Sequence, residues 1–181
     1  LSRHFGLPEV ADYWESVVAL NTWQQHRIAR LVVQKLFGTV TGKRLAIFGF
    51  AFKADTNDTR EAPAIRICRD LLEEGAQLVI HDPKVKADQM ARDLNQEPAS
   101  QVDRLSGTGS WAEAGSVEDA VMGADAVLIL TEWQHYRDLN WQALAAQMRK
   151  PAWVFDARAV ADPAQIKAAG LSLWRVGDGE G

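Results

Sequence analysis

Short apolar runs recur along this chain, and each is separated from the next by a stretch with helical spacing. The runs are "RLAIFGF" (44–50), "QLVIHD" (77–82), "DAVLIL" (125–130), "AWVFDA" (152–157) and "LSLWRV" (171–176). Between them lie "PAIRICRDLLEEG" (63–75), "VEDAVMGA" (117–124) and "NWQALAAQM" (140–148), which read as helices. Strands joined through helices require crossover connections, and those are right-handed. The alternation therefore predicts an α/β fold: a largely parallel sheet of five strands with helices on both faces.

The helix at 63–75 shows how the pattern is built. Ile65, Cys68, Leu71 and Leu72 are expected to face inward, and Gly75 to end the helix in a left-handed turn. A longer helix precedes the sheet. No breaker occurs from Pro8 to Phe37, and Gly38 follows. Some 30 residues make a rod of roughly 45 Å. Val10, Trp14, Val17, Leu20, Ile28, Leu31 and Leu36 follow helical spacing, while Trp23, Val32, Val33 and Phe37 widen the apolar surface. Such a helix needs more than one partner surface: its own domain and a second chain, or else one domain on which it lies flat. The stretch from Lys84 to Ser110 is polar and weakly patterned, a helix and then a loop, and the tail "GDGEG" is expected to be loose.

Composition removes several function classes. A hydrophobic content of 47% with 24% charged residues suits a globular core. A net charge of −4 gives no electrostatic footprint for nucleic acid or an anionic membrane surface. No apolar run is long enough to span a bilayer. The single cysteine, Cys68, excludes an internal disulfide and suits a reducing compartment such as the cytoplasm. The four histidines show no metal-ligand spacing, and the seven tryptophans suit core and interface packing. The chain begins at Leu1 without a signal-peptide pattern, which fits a piece of a longer protein.

The candidate site follows the first strand, in "GFAFKADTNDTREAP" (49–63). A dinucleotide cradle uses three glycines so that the backbone can approach a pyrophosphate. Here only Gly49 is available, and Phe50 and Phe52 stand where close approach would be needed. Lys53 and Arg60 nevertheless supply a point charge and a planar fork for an anion, close to the positive end of the helix that starts at Pro63. Asp55, Asp58 and Glu61 can hold those cations in place, so a solvated loop with ordinary ion pairs stands beside the anion-site reading. Other strand ends reach the same edge: Thr131, Glu132 and Trp133 in "TEW", and Asp156 and Arg158 in "FDAR". Asp82 occupies the place of a ribose-binding acid. Without the glycine turn, a structural role in the "DP" turn is the better reading.

The string "GFAFKADTNDTREAPA" resembles the signature of the UDP-glucose/GDP-mannose dehydrogenase family. The likeness extends back through "LPEVADYWESVVALNTWQQHRIARLV" and forward through "EEGAQLVIHDPKV", "ADAVLILTEW" and "PAWVFDARAV". It weakens between about Lys86 and Gly115 and in the last ten residues. The resemblance implies a long central helix (1–41) that builds a homodimer or higher homo-oligomer. It also implies a Rossmann-like domain (42–181) that binds the UDP part of a UDP-sugar. It further implies an enzyme that oxidises the sugar's C6 twice with two NAD+ through a cysteine thioester. Phe52, Lys53 and Arg158 match substrate-binding positions, and Arg60 matches an arginine that reaches NAD. Ala157 and Ala159 depart from the glycine and the second arginine of many relatives. Neither the family's cysteine motif nor its NAD fingerprint is found between Leu1 and Gly181, and Cys68 sits at core spacing. The isolated chain is therefore expected to hold UDP weakly at best and not to turn over. The resemblance implies UDP-glucose as the substrate, with a UDP-N-acetylhexosamine or GDP-mannose as the alternatives, and a stand-alone nucleotide-binding or dimerisation module is the rival outside enzymes.

Overall fold

The computed structural model describes residues 1–100 and 107–179. Six strands form one sheet: β1 (Arg44–Phe48), β2 (Gln77–His81), β3 (Ser110–Glu113), β4 (Ala126–Ile129), β5 (Trp153–Asp156) and β6 (Ser172–Arg175). Every pairing is parallel, in the order β3-β2-β1-β4-β5-β6. The helices are α1 (Pro8–Lys35), α2 (Pro63–Glu73), α3 (Ala87–Leu94), α4 (Val117–Val121), α5 (Trp141–Gln147) and α6 (Pro163–Ala168). Helices α1, α2 and α3 pack together, and α4, α5 and α6 form the other group. The expected parallel α/β fold with helices on both faces is what the chain adopts.

The four inner strands are apolar at nearly every position, as a sheet covered on both faces requires. Sequence reading expects five strands; the sixth is β3. Its only large apolar residue is Trp111, and it lies at the sheet edge behind a polar stretch, so it carries little periodic signal. Residues 101–106 of that stretch, and the last two of the "GDGEG" tail, lie outside the described residues. Helix α6 was also unread, although Asp162 caps it through a hydrogen bond from the Ala164 N–H at 2.8 Å, with Pro163 at its first position.

On α2 the buried stripe is Ala64, Ile67, Cys68, Leu71 and Leu72, while Ile65, expected inward, is only half-buried. Positions 64, 67, 68 and 71 form the i, i+3, i+4, i+7 line that faces the sheet; 65 lies to its side. Gly75 takes φ +82° at the helix end. Helix α1 divides into two halves. Ile28, Ala29, Leu31, Val32 and Leu36 enter the core of the sheet domain, whereas Val10, Tyr13, Trp14, Val18, Leu20 and Trp23 are exposed.

Candidate functional site

Strand order reverses between β1 and β4, so their carboxyl ends splay into the crevice where doubly wound sheets bind ligands. The loop after β1 fills one side of it. Gly49 is required there: its φ is +92°, and an added Cβ would lie 2.4 Å from the Thr131 Cβ. Phe50 then turns into the core and is fully buried, while Phe52 is 46% exposed. The two aromatic residues that exclude a glycine cradle thus do different work.

The backbone of this loop is already committed. The N–H of Gly49 donates to the His81 carbonyl at 2.9 Å. Phe50 and Ala51 donate to Asp82 Oδ2 at 2.7 and 3.0 Å. Phe52 donates to the Asp58 carbonyl at 2.8 Å. Trp133 Nε1 also donates to Asp82 Oδ2, at 3.2 Å, and Lys84 and Val85 donate to Oδ1 at 2.9 and 3.0 Å. Asp82 is therefore a buried anchor with five donors, and the ribose-reading role of an acid at this place is closed to it. The sheet edge does not fit a dinucleotide: the amides that would cradle a pyrophosphate point at protein acceptors. The cationic side chains of the edge remain as candidates for holding an anion.

Those side chains converge in part. A cleft of about 560 Å³ is lined by Phe52 and Arg158, with Pro63 and Arg66 of α2 and Val18, Asn21, Thr22, Gln25 and Ile28 of α1. Sequence reading expects Lys53 and Arg158 to converge on one pocket; the residue that meets Arg158 is instead Phe52, and Arg158 Nη2 donates to the Phe52 carbonyl at 3.2 Å. Its Nε donates to the Leu130 carbonyl at 2.8 Å, so the fork is oriented without a ligand. Asp156, fully buried, shapes the turn beneath by accepting from the N–H groups of Arg158 and Ala161. Lys53 follows Phe52 directly and is exposed, but does not line this cleft.

Arg60 goes elsewhere. It lines a second, basic recess of about 410 Å³ with Arg66, Arg69 and Arg92, and donates to both carboxylate oxygens of Asp58 at 2.9 and 2.7 Å. Those hydrogen bonds hold the Asp58 carboxyl at about 2, well below the usual carboxylate range. Cys68 is fully buried, and burial pushes its thiol pKa up, away from a nucleophilic thiolate. No group of acidic, histidine or cysteine side chains that could hold a metal occurs among the described residues.

Two contributors escaped the sequence reading. The α1 wall of the cleft was legible in principle, because 18, 21, 22, 25 and 28 share one helical face. Glu132 was read only as a residue at the sheet edge; its Oε2 lies 3.5 Å from Arg158 Nε, a pairing 26 residues apart that no local pattern encodes.

Comparison with known proteins adds an independent line. Residues 46–163 match the sequence model of the UDP-binding domain of the UDP-glucose/GDP-mannose dehydrogenase family. The chain is 40% identical over 183 residues to UDP-glucose 6-dehydrogenase 5 of Oryza sativa subsp. japonica, covering 95% of this chain and 37% of that protein. It is 41% identical over 178 residues to UDP-glucose 6-dehydrogenase of Caenorhabditis elegans, covering 98% and 36%. The chain thus spans little more than a third of these relatives. Among solved structures, a UDP-glucose dehydrogenase from the archaeon Pyrobaculum islandicum superposes with a TM-score of 0.69 at 21% identity, covering 96% of this chain and 34% of that one. A UDP-D-ManNAc dehydrogenase from Pyrococcus horikoshii gives 0.61 at 20% identity, covering 86% and 30%. At these identities the superpositions speak for the fold.

Proposed function

We propose a function from one premise: the chain belongs to the UDP-glucose/GDP-mannose dehydrogenase family. It is the nucleotide-sugar-binding portion of a UDP-glucose 6-dehydrogenase, and the whole enzyme oxidises UDP-glucose to UDP-glucuronate. The observation that carries this is the meeting of Phe52 and Arg158 in a cleft at the sheet's switch point, on a loop whose backbone donors are spent. The substrate diphosphate lies against Arg158, which lines the cleft and has N–H groups beyond those given to the Leu130 and Phe52 carbonyls. Lys53 swings in from the exposed loop to add a second positive charge, and Phe52 offers its ring to the nucleoside or sugar. The chain's task is to fix the diphosphate so that C6 reaches chemistry held by other parts of the enzyme, which is catalysis by positioning.

NAD+ is the hydride acceptor of the whole enzyme in this reading. The sheet edge of this chain does not accommodate it, so Arg60, solvent-exposed at the second recess, is the residue that touches it. The exposed apolar half of α1 is covered by a second copy of the chain in a homodimer or larger homo-oligomer. No helix among the described residues is long and apolar enough to cross a membrane, and we place the enzyme in the cytoplasm.

The test is titration of this chain with UDP, followed by heteronuclear NMR, beside Lys53→Ala and Arg158→Ala. Each variant loses a hydrogen bond to a charged group, costing roughly 1.5–3 kcal/mol, or about 10–150-fold in affinity. Affinity unchanged within about twofold in both would reject the site. NADH production by the longer protein with UDP-glucose, UDP-N-acetylglucosamine and GDP-mannose in parallel identifies the sugar.

A further inference from the structure

We propose that Glu132 is a positioning residue of this cleft, tethering Arg158 and the loop that carries Phe52 and Lys53 at a fixed separation. The proposal rests on the reading of the cleft as a nucleotide-diphosphate site. A carboxylate beside such a site repels its ligand unless it has other work, and the contacts of Glu132 show that work. Oε1 lies 3.4 Å from the N–H nitrogen of Ala54, next to Lys53, and Oε2 lies 3.5 Å from Arg158 Nε. One side chain therefore spans the loop after β1 and the turn after β5.

The residues on either side of Glu132 are pinned to the same loop. Thr131 Oγ1 donates to the Ala51 carbonyl at 2.7 Å, and Trp133 Nε1 donates to Asp82, which in turn holds the amides of Phe50 and Ala51. Both flanking residues are buried, whereas the Glu132 side chain is 41% exposed. Its base is fixed, and only the carboxylate is free to act. Arg158 has five N–H donors, of which Nε and one on Nη2 are taken by the Leu130 and Phe52 carbonyls. The carboxylate sits on the Nε side, so it holds the guanidinium without occupying Nη1. Both Glu132 contacts are long for hydrogen bonds, and the tether is mainly electrostatic.

The sign of one measurement separates this role from that of a bystander charge. UDP is titrated into the isotope-labelled chain for wild type, Glu132→Gln and Glu132→Asp at one pH and ionic strength. A bystander repels the diphosphate, so Glu132→Gln would bind UDP more tightly and Glu132→Asp would be unchanged. A tether predicts the opposite: Glu132→Gln binds about 2- to 5-fold more weakly, the scale of a partly exposed ion pair. Glu132→Asp also weakens, because the shorter stem cannot reach both partners. Loss of the tether should also speed exchange of the Arg158 Nε proton with water in Glu132→Gln before UDP is added, whereas removal of a bystander charge would only shift the signal. Tighter or unchanged binding in both variants overturns the proposal; should the glutamine variant misfold, the aspartate variant decides alone. Absence of UDP binding by wild type, with Arg158→Ala indistinguishable from it, would refute the nucleotide site itself and this role with it.

Discussion

Replacing Asp82 by asparagine changes one atom type and should unsettle the whole edge. The Asp82 carboxylate accepts from five N–H groups: Phe50, Ala51 and Trp133 on Oδ2, Lys84 and Val85 on Oδ1. An asparagine has one acceptor oxygen, and its NH2 must face one of the two donor sets. The cheaper orientation leaves Lys84 and Val85 facing a donor, so at least two hydrogen bonds are lost. Hydrogen bonds to a charged acceptor contribute about 1.5–3 kcal/mol each, and the site is buried, so the loss should be about 3–5 kcal/mol. Urea denaturation followed by tryptophan fluorescence reads it as a lower midpoint with an unchanged slope. Trp133→Phe removes one donor and leaves the other four, so it should lose about 1.5–3 kcal/mol. A loss below about 1 kcal/mol for Asp82→Asn would mean that water or backbone movement replaces those bonds, and that the loop is not locked.

Gly49→Ala forces a Cβ to within 2.4 Å of the Thr131 side chain at φ +92°, and should lose about 3 kcal/mol or more in the same denaturation assay. His81 is buried, and desolvation, reinforced by His135, lowers its pKa below the ordinary value. The unfolded chain therefore binds the extra proton first: stability should be full above about pH 6.5 and fall as pH drops through the lower folded value. His81→Gln should flatten that slope. The exposed face of α1 predicts that the chain sediments as a dimer, and that Trp14→Glu with Leu20→Glu shifts it to a folded monomer whose unfolding midpoint no longer depends on protein concentration.

How much of this was legible depends on whether the decisive contact was local. The inner strands and α2 show in the sequence because burial on two faces, or on one helical stripe, imposes a period. Strand β3 is fixed by pairing with β2 and by the one buried side chain of Trp111, so its residues carry almost no periodic pattern. At the site, the lone glycine of the loop was readable, and so was the unsuitability of Phe50 and Phe52 for a dinucleotide. The reason was not readable. It lies in Asp82 and Trp133, 32 and 51 residues from the paired atoms, brought together by the crossover from β1 to β2 and on to β4. Lys53 and Arg60 look alike in sequence as flanking cations. Asp58 draws Arg60 away from the cleft in which Arg158 lies, and nothing short of the folded loop separates them.

The spent backbone also accounts for the mix of charges at this edge. A glycine cradle binds anions through amides that cannot be mutated and that carry no net charge, so it tolerates neighbours of either sign. Once those amides serve Asp82 and the Asp58 carbonyl, the proposed site depends on Lys53 and Arg158, whose fields are long-ranged and whose stems are flexible. Flexible cations need fixing. The structure fixes Arg158 with two carbonyls and sets Glu132 beside it, and it fixes Arg60 with Asp58. Three of the acids around the site follow from that demand: Asp82 and Asp156 hold loop amides, and Asp58 holds Arg60. Lys53 is exposed and outside the cleft, so in the proposed site it must move to reach the ligand. Its contribution should therefore depend more steeply on salt than that of Arg158, because an exposed charge is screened and a half-buried fork is screened less.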